Sequence, residues 1–174
     1  MSLAPASGSA NSGSAHPGVA ADHVQSPPAV RTFEAPNRAF VLTIELVAEG
    51  AEPKTVGRLH DNTGVAVWQR PMPQYYGPRY AFVADDGRVL MLDEWVPIAS
   101  RFAVMALARD GSPVAIIGYD NLATILRADP KYLAGHAALG IWLSAAPTQD
   151  GETITAPTPA GAVAIDFAGR ITPP

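Results

Sequence analysis

Cysteine is absent from all 174 residues, which removes any disulfide framework, thiol nucleophile or thiolate metal ligand. Positive charge is sparse and scattered: 12 Lys and Arg stand against 16 Asp and Glu, for a formal net charge of −4, and no two basic residues are adjacent. A concentrated cationic face is what displaces counterions from phosphate, so nucleic acid is not expected as a partner. The same scarcity argues against docking on anionic lipid. Long hydrophobic runs are missing too. Beyond residue 36 the longest stretch free of formal charge, Tyr132 to Gln149, is broken by Gly135, His136, Gly140, Ser144 and Pro147, and no membrane-spanning segment is expected.

Signatures of catalysis are equally scarce. There is no Gly-x-Ser-x-Gly elbow, no Gly-rich phosphate loop and no His-Glu-x-x-His, so neither a catalytic residue, a metal site nor a cofactor is assigned. Of the four histidines, His16 and His23 lie near the N-terminus, His60 flanks a turn and His136 falls in an ambiguous segment. The competing reading is a small hydrolase whose polar groups His60, Asp61, Asp93 and His136 converge in the fold. Strand alternation opposes a working pair from Asp93 and Glu94, because neighbours in a strand point to opposite faces. The plain reading makes them a solvated strand end.

What the chain does have is turn chemistry. Asp61-Asn62-Thr63-Gly64, Asp85-Asp86-Gly87, Asp110-Gly111 and Asp150-Gly151 each join a side chain that bonds its own backbone to a Gly that reaches positive φ without penalty. Between them lie runs of β-branched and aliphatic residues. Arg38 to Ala48 alternates as a half-exposed strand, and Lys54 to His60 pairs with Val65 to Gln69 across the first turn. Tyr80 to Ala84, Arg88 to Trp95, Phe102 to Ala108 and Val114 to Tyr119 are apolar on both faces and predict central strands covered from two sides. Ile141 to Ser144, Thr153 to Ala156 and Ala162 to Phe167 read as a closing set.

One helix is predicted near 120–128, where Asp120 serves as N-cap, Leu122, Ile125 and Leu126 share a face, and Asp129-Pro130 ends the pattern. Residues 131–138 fit either another helical turn or a loop. The expectation is an all-β, mainly antiparallel fold, a meander of hairpins forming a β-sandwich or flattened barrel. The alternative is a partial propeller-like repeat: Gly64, Gly87 and Gly111 recur at 23 and 24 residues, and Arg79-Tyr80-Ala81 and Arg101-Phe102-Ala103 open similar units.

The first 36 residues carry only Asp22, Arg31 and Glu34 as charges and are otherwise rich in Ala, Ser, Gly and Pro. Such composition cannot offset chain entropy by burial, so 1–36 is read as a disordered leader and 37–174 as a single β-domain. Met1-Ser2-Leu3 lacks the basic start of a signal peptide. A tether of this kind suits an exported bacterial protein, periplasmic or in the cell envelope, whose signal or lipid anchor has been removed; a cytoplasmic protein with a ragged start is the alternative.

Aromatic residues supply the candidate contact surface. The connection from Gln69 to Arg79 holds three prolines, Gly77, the pair Tyr75-Tyr76 and the cations Arg70 and Arg79. Proline-stiffened loops present tyrosine rings at low entropic cost, although the same rings would also serve to cap a core. Trp95, at the end of its strand, extends the surface. The chain is therefore expected to be a non-catalytic β-module that binds a protein or other ligand through Tyr75, Tyr76, Arg70, Arg79 and Trp95. A structural domain that self-assembles through an exposed edge strand, Arg38 to Ala48, is the third reading.

Overall fold

The computed structural model describes residues 26–49 and 52–173. Most of the leader, residues 1–25, lies outside the described residues. Three antiparallel meanders follow one another along the chain. The first is β1 (Val30–Glu34), β2 (Phe40–Glu49), β3 (Glu52–Asp61) and β4 (Ala66–Pro71); the second is β5 (Pro78–Val83), β6 (Val89–Glu94), β7 (Val104–Leu107) and β8 (Pro113–Ile117). Helices α1 (Tyr119–Ile125) and α2 (Pro130–His136) precede the third, made of β9 (Thr148–Asp150), β10 (Thr153–Thr158), β11 (Gly161–Asp166) and β12 (Ile171–Thr172). The fold is all-β and mainly antiparallel. Within each sheet the strands lie in chain order, because tight reversals leave each strand no neighbour but the next.

The reversals use the predicted residues. Gly64, Gly87, Gly111 and Gly151 all take positive φ, the region that costs any side chain with a Cβ. At four turns the Asp carboxylate accepts from the backbone two residues on: Asp61 from the Thr63 N–H at 2.9 Å, Asp86 from Arg88 at 3.1 Å, Asp110 from Ser112 at 2.9 Å and Asp166 from Ala168 at 2.9 Å. One local device therefore recurs around the molecule.

The second sheet lies between the other two. Val83, Val89, Met91, Met105 and Leu107 from one of its faces pack with Phe40, Leu42, Ile44, Leu59 and Trp68 of the first sheet. Leu90, Leu92, Val104 and Ala106 from its other face pack with Ile154, Ala156, Val163 and Ile165 of the third sheet and Phe167 just after β11, together with Leu122 and Leu133 of the helices. All six residues of β6 are buried, as the two-sided apolarity of Val89 to Leu92 predicts. Each such side chain contributes roughly 1.5–3 kcal/mol by leaving water.

Several expectations are corrected. Residues 30–34, assigned to the leader on composition, form β1, whose Val30 to Glu34 pair with Glu45 to Val41. The pairing energy of a ready strand edge outweighs a local composition poor in apolar residues. Consequently Arg38 to Ala48 is no edge: β2 is bonded to β1 on one side and β3 on the other. Val114 to Tyr119 is not a central strand either. β8 ends its sheet, with Val114 51% and Ile116 40% exposed, and Tyr119 belongs to α1.

Ile141 to Ser144 forms no strand; an isolated bridge joins Leu139 and Leu143, and Trp142 is fully buried between the layers. Helix α1 has Gly118 as N-cap without a side-chain bond, and Asp120 sits inside its first turn. Asp129-Pro130 does not end α1, which closes at Leu126, but opens the next helix. Asp129 caps α2 by accepting from the Tyr132 N–H at 3.0 Å, and Pro130 occupies the first helical position, where its missing N–H costs nothing. Two short helices stand where one was expected. Among the described residues no helix is long and apolar enough to cross a membrane.

In α2, Gly135 faces open space, and an added Cβ would meet no atom within 4 Å. Gly135→Ala is therefore expected to stabilise the protein by about 0.5–1 kcal/mol through helix propensity alone, measurable by urea denaturation; a loss of stability would contradict this assignment of α2.

Candidate functional site

The connection from β4 to β5 is held at both ends. At its start the Met72 N–H donates to the Thr55 carbonyl at 2.8 Å, while the Thr55 hydroxyl, buried on β3, lies 2.6 Å from the Gln74 carbonyl and 2.8 Å from that of Tyr75. At its end the Arg31 guanidinium donates to the Tyr76 carbonyl at 2.8 Å and also to the Pro78 carbonyl. Gly77 takes φ +74° there, and a Cβ on it would stand 2.4 Å from the Arg31 guanidinium. Glycine takes that left-handed conformation without strain, and any side chain there would have to displace the Arg31 guanidinium. A loop so anchored presents Tyr75, 58% exposed, as a fixed ridge.

Two clefts adjoin that ridge. One, of about 420 Å³, is lined by Thr55, Val56, Pro71, Met72 and Pro73; the other, of about 270 Å³, by Tyr76, Glu94, Val96 and Ile98; Pro53 and Tyr75 belong to both. Trp95 lies behind, with the guanidinium carbons of Arg31 and Arg79 at 5.1 and 5.8 Å from its ring centre. These are cation–π contacts from two strands onto one indole. Arg79 also donates to the Trp95 carbonyl.

Four of the five residues chosen from sequence thus meet: Tyr75, Tyr76, Arg79 and Trp95. Arg70 does not join them. It donates to the Gly111 carbonyl across the sheets and lines a separate depression with Trp68, Gln69 and the Asp110–Ser112 turn. Arg31, Pro53, Glu94, Val96 and Ile98 were missed. Arg31 was hidden by its place in a Pro- and Ser-rich stretch, and the cleft residues come from three segments far apart in the chain.

Asp93 and Glu94 are not a solvated strand end; they are 2% and 6% exposed. Asp93 takes φ +58°, a left-handed conformation that Asp tolerates better than most residues. That single residue reverses the alternation of β6. The Asp93 carboxylate lies against Gly140 and accepts from the Ile141 N–H at 3.4 Å and the Glu94 N–H at 3.0 Å. It is therefore on the side of Leu90 and Leu92 instead of that of Met91, while Glu94 turns to Pro53 and the tyrosines.

Burial pushes the Asp93 carboxyl up to about 6, against the opposing pull of the backbone N–H donors and of Arg79. Arg79 Nε stands 3.7 Å from it, too far for a hydrogen bond. The arrangement stabilises the charge only in part.

The hydrolase set does not assemble. His60 is paired within the first sheet, Asp61 closes its own turn, Asp93 is enclosed as described, and His136 bonds the Tyr132 carbonyl at 2.9 Å with its ring 4.3 Å from that of Tyr132. Among the described residues no three His, Cys, Asp or Glu side chains are grouped as metal ligands would be. Compared with known proteins, the chain matches no family model, no curated protein and no solved structure.

The raised Asp93 carboxyl sets a pH dependence. Between its ordinary value of 3.8 and about 6, the folded state binds more proton than the unfolded chain, so stability falls as pH rises through that window. Asp93→Asn keeps the left-handed geometry and removes the buried charge. At pH 7 it is expected to raise stability by roughly 1–3 kcal/mol and to flatten the slope between pH 4 and 6, both read from urea midpoints across pH.

Gly140, with φ +66° and space for a Cβ only 1.7 Å from Asp93 Oδ2, permits no such exchange. Gly140→Ala is expected to cost about 3 kcal/mol or more; a midpoint within error of the parent would refute this packing.

Proposed function

We propose that the protein is a non-catalytic binding module that captures a partner protein on the ridge and clefts around Tyr75. The observation that carries this reading is the exposed Tyr75 ring standing between two adjoining apolar clefts on a loop tied down by Thr55 and Arg31. Pre-organisation of this sort lowers the entropy lost on binding, and a tyrosine with only two rotatable side-chain bonds adds contact area at little cost. Exposed Ile98 continues the apolar surface. The Ala-, Ser-, Gly- and Pro-rich first residues support a tethered module of an exported or envelope protein.

Panning a displayed random-peptide library on the intact chain tests the reading. Selected peptides are expected to bind Tyr75→Ala at least about tenfold more weakly, the loss of one exposed anchor ring, while its melting temperature stays that of the parent. Peptides that bind both proteins equally would place the contact surface elsewhere.

A further inference from the structure

The smaller cleft contains a group that its walls do not explain. Glu94 lies at the end of β6, 6% exposed, and the little surface it keeps opens among Pro53, Tyr75, Tyr76, Val96 and Ile98. No described residue donates a hydrogen bond to its carboxylate or stands in an ion pair with it. The guanidinium groups nearest in the fold are committed elsewhere: that of Arg31 to the Tyr76 and Pro78 carbonyls, that of Arg79 to the Trp95 carbonyl and the neighbourhood of Asp93. A carboxylate that keeps only a little surface among apolar walls, with no cation beside it, carries a partial desolvation cost. The cost is recovered when a cation arrives.

We infer that the 270 Å³ cleft receives a lysine side chain of the partner polypeptide, its ammonium meeting the Glu94 carboxylate and its aliphatic stem lying between Tyr75, Tyr76, Val96 and Ile98. The inference rests on the binding reading above and names its ligand chemistry. Apolar walls with one acid at the end match a methylene chain with one charge at its tip, and the tyrosine rings attract an ammonium as well as an alkyl chain. Ammonium suits the cleft better than guanidinium. A carboxylate can take two guanidinium donors side by side, but three more would then remain in a cleft of apolar walls, whereas an ammonium has only three donors in all and turns them freely. The adjoining 420 Å³ cleft across Tyr75 gives the rest of a polypeptide a surface to follow.

Three probes decide the matter by nuclear magnetic resonance titration of the labelled full chain: a blocked Gly-Lys-Gly peptide, the same peptide with norleucine for lysine, and n-pentylamine. The lysine peptide is expected to shift the amides of Tyr75 to Gly77 and Glu94 to Ile98, and to bind at least about tenfold more tightly than the norleucine peptide. Glu94→Gln should bring lysine binding down to the norleucine level and leave norleucine binding unchanged, while Tyr75→Ala weakens both peptides.

Equal binding of the two peptides to the parent protein, a comparison that needs no variant, would overturn the lysine assignment and leave the binding surface standing. So would lysine binding that survives Glu94→Gln. Pentylamine binding as tightly as the lysine peptide would overturn the polypeptide source in favour of a free amine. If no probe shifts these amides, the cleft and the binding reading fall together.

Discussion

Covering both faces of β6 is the constraint on which the other elements depend. Four consecutive residues, Val89 to Leu92, have no polar face to give to water, so one sheet must lie on each side of them. The first sheet and the third meet that need from opposite ends of the chain, and α1 and α2 fill what the short strands of the third sheet leave open. The layering is a consequence of apolarity on two sides of one strand. It also explains why the outer strands tolerate exposure, as β8 does with Val114 and Ile116.

Where β6 runs out of the core, the same burial becomes a liability. Two adjacent acids follow the apolar run, and both are nearly buried, Glu94 keeping a little surface in the smaller cleft. A single left-handed residue, Asp93, separates them: one carboxylate turns to the layer of Gly140 and Ile141, the other to the tyrosine loop. Gly140 is the complement of that turn, since any side chain there would occupy the space of the Asp93 oxygen. Strain and buried charge gathered at one strand end, beside an anchored loop with an exposed ring, are what distinguish this edge of the molecule from the rest of its surface.

Turns and central strands were legible because their causes are local or periodic. Asp and Gly at a reversal act through bonds two residues away, and a two-sided strand shows as an unbroken apolar run; Asp61-Gly64 and Val89-Leu92 needed no tertiary information. β1 was not legible, since Val30 to Glu34 forms a strand only because β2 offers it an edge. Residues 131–138 were ambiguous for a related reason: Asp129-Pro130 reads as the stop of one helix, but α1 already closes at Leu126 and the pair opens α2, whose Leu133 is buried in the core. At the site, Tyr75 and Tyr76 stood out by composition and Trp95 by position. Glu94 did not, because strand alternation assigned it to the wrong face until the φ of Asp93 was known.

The sequence by itself determined an antiparallel all-β chain, its main reversals and the loop that carries the tyrosines, all of which follow from propensities acting over a few residues. Tertiary structure alone decided that the described strands form three sheets, that Arg31 belongs to the fold, and that a carboxylate ends in an apolar cleft. The first two join residues far apart in the chain and the last hangs on one backbone angle, and neither kind of information is written in any short stretch of the chain.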